Sequence, residues 1–244
     1  MSFLSVDGQE ADGVSIKFQI YLWPGAVGLD DLSEGAVAPK PQRRLEEGAE
    51  IIDEDIPYFI YYKKSDGSYE KIKMYSGLIT KGSFRYSGVS RMQFFTKQTA
   101  VDGEIEYAPY GSIDIPTSYR EVTIILFGAG ENGCRMLPVN TSLESIPEGK
   151  VAIYNLSKSP LACSLLHVKF EMEPMSHKLM DLNMDGVYQP ILIASQGVNG
   201  GWERRLVRKL TVNAGSTNLW VIYNRGGGDN RFGLLNIPGI DHAN

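Results

Sequence analysis

The sequence predicts an all-β chain folded as two tandem antiparallel β-sandwiches, Ig-like or jelly-roll-like in kind. Three observations carry this. Short apolar or alternating runs follow one another, with Gly, Pro, Asn and Asp clusters between them. No stretch sustains the 3.6-residue apolar period of a helix. The segment Val122–Val139 (VTIILFGAGENGCRMLPV) is also echoed by Leu219–Ile237 (LWVIYNRGGGDNRFGLLNI). Each is an apolar run, a Gly/Asn/Asp-rich turn and a second apolar run. The offset of about a hundred residues is the length of one small β-domain. Weaker echoes at similar spacing pair Ile60-Tyr61 with Ile153-Tyr154 and Met92–Phe95 with Ile191–Ala194.

The elements follow in order. Residues 1–13 are small, polar and acidic and read as a disordered tail. Val14–Trp23 alternates, with Ile16, Phe18, Ile20 and Leu22 on one face of a strand. Residues 24–57 read as a long surface loop, rich in Gly and Pro, with a short helix sketched at Gln42–Glu47. Its acidic run from Glu46 to Asp55 lacks the pattern of a calcium loop and reads as a solvated charge run. Tyr58–Lys63 and Tyr69–Tyr75 form a hairpin about Asp66-Gly67, because Asp-Gly supplies positive φ angles. Further strands are expected at Ser83–Tyr86, Val89–Thr96, Glu104–Ala108 and Ser112–Ile115, punctuated by Gly88, Gly103 and Gly111. Glu121–Phe127 is almost continuously apolar and should be buried on both faces.

The link 140–149, bracketed by Pro138 and Pro147, divides a first domain (14–139) from a second (140–244). In the second, strands are expected at Lys150–Leu156, Leu161–Phe170, Val187–Ala194, Trp202–Thr211, Asn218–Asn224 and Phe232–Ile237.

Composition narrows the function. A net charge of −5 gives no electrostatic reason to bind nucleic acid or an anionic membrane. No apolar run is long enough to span a bilayer as a helix. The N-terminal MSFLSVDGQEADG lacks the basic and apolar regions of a signal peptide, so export would require a leader already removed. Cys134 and Cys163 read as buried thiols, with a disulfide open if their Cα atoms approach within about 7 Å. Their spacing and the scattered His167, His177 and His242 point to no metal site. His167 is expected within an apolar strand and His177 in a polar turn.

Gly128–Gly133 fits the G-x-G-x-x-G dinucleotide fingerprint, but that motif must open a helix. Here a short apolar run ending at Pro138 follows, so a hairpin turn is the better reading and no cofactor is expected. No G-x-S-x-G elbow supports a serine nucleophile. Glu104/Glu106 and Glu171/Glu173 read as solvated strand faces rather than catalytic pairs. No catalytic residue is assigned.

Two features are candidates for ligand or partner binding. The first is the tyrosine-rich first half, where Tyr58, Tyr62 and Tyr86 could supply an aromatic platform for a glycan or protein. Tyrosine is equally a good strand residue. The second is the cluster Arg204, Arg205, Arg208 and Lys209, which could meet an acidic partner or simply guard an edge strand. Asn140-Thr141-Ser142 and Asn155-Leu156-Ser157 fit the N-glycosylation sequon.

Lys150–Leu161 (KVAIYNLSKSPL), with Val187–Ala194 and the strand at Trp202, resembles a group of bacterial cell-envelope proteins with tandem β-domains and no established activity. Ser76–Phe95 and Tyr107–Phe127 resemble the preceding domain of that group. The chain departs from the pattern at Glu203–Arg205, where small polar residues are more usual. The resemblance implies an exported, periplasmic or extracellular module, in some cases associated with envelope transport machinery. The expected function is therefore non-enzymatic: a binding or structural module of the envelope whose partner is an envelope protein or glycan, with oligomeric state open. The alternative is a carbohydrate-binding or carbohydrate-active domain using the tyrosine-rich half.

Overall fold

The structure, a computed structural model, describes residues 13–27, 57–100, 103–130, 133–182, 188–197, 199–211, 218–225 and 231–238. The chain divides into two compact units, Met1–Asn140 and Thr141–Asn244. All regular elements among the described residues are strands.

The first unit holds β1 (Gly13–Val27), β2 (Tyr58–Lys63), β3 (Tyr69–Met74), β4 (Phe84–Val89), β5 (Arg91–Thr99), β6 (Ile105–Asp114), β7 (Glu121–Gly130) and β8 (Gly133–Asn140). They form two four-stranded sheets, ordered β4-β1-β7-β8 and β3-β2-β5-β6. The second unit holds β9 (Lys150–Asn155), β10 (Leu161–Leu165), β11 (Val168–Met172), β12 (Ser176–Asp181), β13 (Tyr188–Gln196), β14 (Trp202–Thr211), β15 (Asn218–Asn224) and β16 (Phe232–Pro238). Its sheets are ordered β12-β9-β15-β16 and β11-β10-β13-β14. Advancing every strand of the first unit by eight reproduces the second unit strand for strand.

Finer details repeat as well. The central pairs β1/β7 and β9/β15 are parallel, while the other pairings are antiparallel. In β5/β6 the register slips at Phe94/Phe95, which lie across from Gly111 and Pro109, so Tyr110 forms a bulge. In β13/β14 it slips at the corresponding Ile193/Ala194, which lie across from Leu206 and Arg204, so Arg205 forms the bulge. Conserving topology, parallel pair and bulge together is the mark of a duplicated unit.

Each core follows from the period-two alternation. In the first unit Phe18, Ile20 and Leu22 of β1 and Val122, Ile124 and Leu126 of β7 face Ile60, Tyr62, Ile72, Met92 and Phe94 of the opposing sheet. Phe18 meets the ring edges of Tyr62 and Phe94 at centroid distances of 5.2 and 6.5 Å. In the second, Val151, Ile153, Trp220 and Ile222 pack with Leu161, Cys163, Phe170, Ile191 and Ile193. Each large apolar side chain so buried contributes about 1.5–3 kcal/mol. The parallel pairs are buried on both faces: outward Tyr21, Thr123 and Ile125, and outward Ala152, Leu219 and Val221, are all buried.

Several elements differ from the sequence expectation. Pro24–Val27 continue β1, so the loop expected from residue 24 does not begin there. The rest of that loop, its sketched helix and its acidic run, together with the N-terminal tail up to residue 12, lie outside the described residues. Gly111 lies within β6, because the bulge at Tyr110 absorbs the irregularity expected to break the strand. The break between β4 and β5 falls at Ser90 rather than at Gly88. Leu161–Phe170 splits into β10 and β11, since Leu166 takes φ 55° and turns the chain without a glycine. His167 therefore sits in that turn, not in a strand. His177 lies in β12, a polar edge strand without β-branched residues, and its ring stacks on Tyr154 at 4.9 Å. Finally, Ile60 is in β2 and Ile153 in β9, strands that are not counterparts, so that echo is coincidental.

At the Gly128–Gly133 motif β7 runs to Gly130 and pairs antiparallel with β8, which starts at Gly133, so strand rather than helix follows. Cys134 and Cys163 are free thiols. Asn155 is fully buried and lies at the heart of the β9–β10 turn. Its Nδ2 donates to the carbonyls of Ser159, Met172 and Glu173 at 3.0, 3.4 and 3.0 Å. Its Oδ1 accepts from the Ser157 backbone N–H and hydroxyl at 3.0 and 2.6 Å. The Asn155 sequon is thus a structural hub, closed to glycosylation in the folded protein.

Candidate functional site

The corresponding sheets β3-β2-β5-β6 and β11-β10-β13-β14 each turn one face inward to the core and one outward. The two outward faces are built from different side chains.

In the second unit the outward face is a groove of about 460 Å³. The cross-strand registers build it in rows. Glu171, Ala162, Ala194 and Arg204 stand side by side across the four strands, and Lys169, Ser164, Leu192 and Val207 form the next row. Ala162, Ser164 and Ala194 on the two central strands leave the floor low beside Leu192. The rim strands β11 and β14 stand about 14 Å apart at three strand spacings. Trp202 rises at one end, 44% exposed. A flat aromatic wall, a shallow floor and charged rims suit a ring with polar substituents at its edge.

In the first unit the outward positions carry aromatic rings. Tyr61, Tyr69, Phe95 and Tyr107 form a continuous cluster in which Tyr69 and Tyr107, from the two outer strands, stack at 3.9 Å and 6°. That pair roofs Tyr61 and Phe95, which keep only 5% and 8% of their surface exposed. Lys71 lies over the Phe59 ring at 3.7 Å. The aromatic surface expected of this half therefore exists as a closed cluster made of other residues.

The residues selected from sequence fall as follows. Tyr62 is wholly buried, and its hydroxyl donates to Glu70 Oε2 at 2.6 Å while the Arg85 carbonyl lies at 3.0 Å. Burial and the Glu70 carboxylate push its phenol above its ordinary pKa. Tyr86 is buried too, its hydroxyl donating to the Val89 carbonyl at 3.0 Å. Tyr58 is half-buried against the same core. These three face inward and offer no platform. The arginines lie on β14, an edge strand, but the bulge divides them. Arg204 pairs across from outward Ala194, whereas Arg208 lies across from core-facing Ile191. Arg205 donates from Nε to Ser195 Oγ at 2.9 Å and pairs with Glu203 at 2.8 Å. Only Arg204 joins the groove's rows.

Sequence reasoning selected neither Trp202 nor Lys169, and read Glu171 as part of a solvated strand face. The signal was present in the alternation of small residues at outward positions of two adjacent strands, Ala162 and Ser164 on one and Ala194 on the other. No protein-family model matches the chain, and no curated protein matches its sequence. Among the described residues no three His, Cys, Asp or Glu side chains are grouped to hold a metal ion. No helix among them is long and apolar enough to cross a membrane.

Proposed function

We propose that this protein is a non-enzymatic binding module of the bacterial cell envelope, exported to the periplasm or cell surface, whose second sandwich binds a glycan. One observation carries the reading: exposed Trp202 standing over a floor of Ala162, Ser164 and Ala194 between charged rims. An apolar side chain is costly to leave exposed beside an open groove, and a pyranose ring covers such a face while its hydroxyls meet Glu171 and Lys169.

The test is a fluorescence titration of the full chain with neutral oligosaccharides prepared from bacterial envelopes. Of the three tryptophans, Trp220 is buried, Trp23 is half-buried and Trp202 is exposed, so the Trp202→Ala variant assigns the signal. A saturable change that disappears in Trp202→Ala supports the reading. No response to any such glycan, or an identical response in the variant, overturns it.

A further inference from the structure

A second feature lies in the first sandwich. Strands β2 and β5 pair only at Tyr61/Phe95 and Tyr62/Phe94, then part. A cleft of about 370 Å³ opens where they separate, bounded on one side by Tyr86–Val89 of β4 and on the other by Lys63, Lys64, Ser65, Arg91 and Gln93. Three cations, the neutral polar side chains of Ser65, Ser87, Gln93 and Tyr86, and apolar Val89 contribute to it, and no carboxylate does. In a chain of net charge −5, such a concentration is against the average.

The cleft is held in shape from two sides. Lys64 is fixed in the β2–β3 turn, its N–H donating to Ser68 O at 2.8 Å and its carbonyl accepting from Gly67 at 3.0 Å. Asp66 Oδ1 accepts from the Ser68 N–H and hydroxyl, which locks that turn. On the other side the Tyr86 ring folds back along β4 so closely that a Cβ on Gly88 would lie 2.7 Å from its hydroxyl oxygen. Arg91 is oriented by a hydrogen bond from Nε to Ser112 Oγ at 3.2 Å.

The cleft also opens onto a longer cationic face. By register and alternation, Lys63, Lys71, Lys73, Arg91 and Lys97 occupy outward positions of β3, β2 and β5. Asp114, across from Arg91, is the one carboxylate at an outward position of these four described strands.

We propose that this cleft binds the carboxylate of an acidic polysaccharide, with Lys63, Lys64 and Arg91 as its cations and the lysines of the same face following the polymer. A polyuronate carries one charge per sugar together with many hydroxyls, which suits spaced ammonium groups and neutral donors. Single-stranded nucleic acid fits less well, because it binds by stacking bases on open rings. Here Tyr69 and Tyr107 stack on each other and cover Tyr61 and Phe95. The inference rests on the binding-module reading but on the other sandwich, so a failure at Trp202 leaves it standing.

The experiment is affinity electrophoresis of the full chain through gels containing polygalacturonate, neutral dextran or a single-stranded oligonucleotide. Polygalacturonate is expected to retard the protein at low salt and dextran is not. The combined variant Lys63→Gln, Lys64→Gln, Arg91→Gln should weaken retardation about tenfold or more, with its circular dichroism unchanged. The combined Lys209 variant, Lys178→Gln, Arg208→Gln, Lys209→Gln, which likewise removes three charges but from the second sandwich, should have no effect. Absence of retardation in polygalacturonate, equal losses in the Lys209 variant, or stronger retardation by the oligonucleotide would each overturn the proposal.

Discussion

The two sandwiches run the same eight-strand path, yet they solve two local problems differently. On the outward face of β3-β2-β5-β6, rings from opposite edges meet and seal the sheet with a small second core. On β11-β10-β13-β14, alanine and serine leave the same face open. The second difference lies between the first two strands of each unit. In the first sandwich residues 28–57 connect β1 to β2, whereas in the second only residues 156–160 connect β9 to β10. The short connection is held by Asn155, which gathers backbone groups from two turns. A shared path thus fixes which strands pair, while the outward positions and the connections remain free to diverge. Binding surfaces are expected to arise there.

The largest predicted effect breaks the comparison at Asn155. Asn155→Ala leaves three carbonyls and a serine N–H without their buried partner, and about 3 kcal/mol of stability should be lost. Calorimetry should show the second sandwich melting earlier while the first is unmoved. An unchanged thermogram would refute the hub assignment.

Gly111 tests the bulge of the first sandwich. A Cβ there would lie 2.6 Å from Cys134 Cβ, so Gly111→Ala should destabilise by about 1–3 kcal/mol. Denaturant unfolding measures it, and a neutral result would show that β6 and β8 yield easily.

The thiols sharpen the comparison by pH. Burial pushes Cys134 from 9.0 to about 11, and Cys163 to about 12 despite the nearby Lys178. Because the folded values are raised, the neutral thiols favour folding fully below pH 9. Above it the unfolded chain ionises first and stability falls, over a window ending near 11 for Cys134 and near 12 for Cys163. Cys163→Ala should therefore flatten the alkaline decline over the wider window. Melting temperatures from pH 8 to about 11 would reveal it.

The smallest effect is expected at Trp220, whose Nε1 is buried without a hydrogen-bond partner. Trp220→Phe loses packing but removes an orphan donor that costs about 1–3 kcal/mol. The net change should stay within about 1 kcal/mol. A loss above about 3 kcal/mol would show that ring volume dominates.

Much of the fold was legible in the chain because alternation and turn chemistry are local. Val14–Trp23 shows its buried face in Ile16, Phe18, Ile20 and Leu22, and Asp66-Gly67 marks its hairpin with Gly67 at φ 84°. Strand β12 was not legible, because Ser176–Asp181 is a polar edge strand defined by its pairing with β9. Nor was the turn at Leu166, which has no glycine to announce it. The tyrosine candidates failed on phase. Tyr61 and Tyr62 are neighbours, and a one-residue change of phase moves a side chain from the surface to the core.

The sequence by itself determined the all-β class, the tandem repeat and most strand positions, since backbone propensity and period-two burial act over a few residues. Tertiary structure alone decided which tyrosines are inside, how the Tyr110 and Arg205 bulges divide their faces, and where the two clefts open. Those outcomes depend on register between strands distant in the chain. Register is set by the packing of two sheets against each other, not by any one segment.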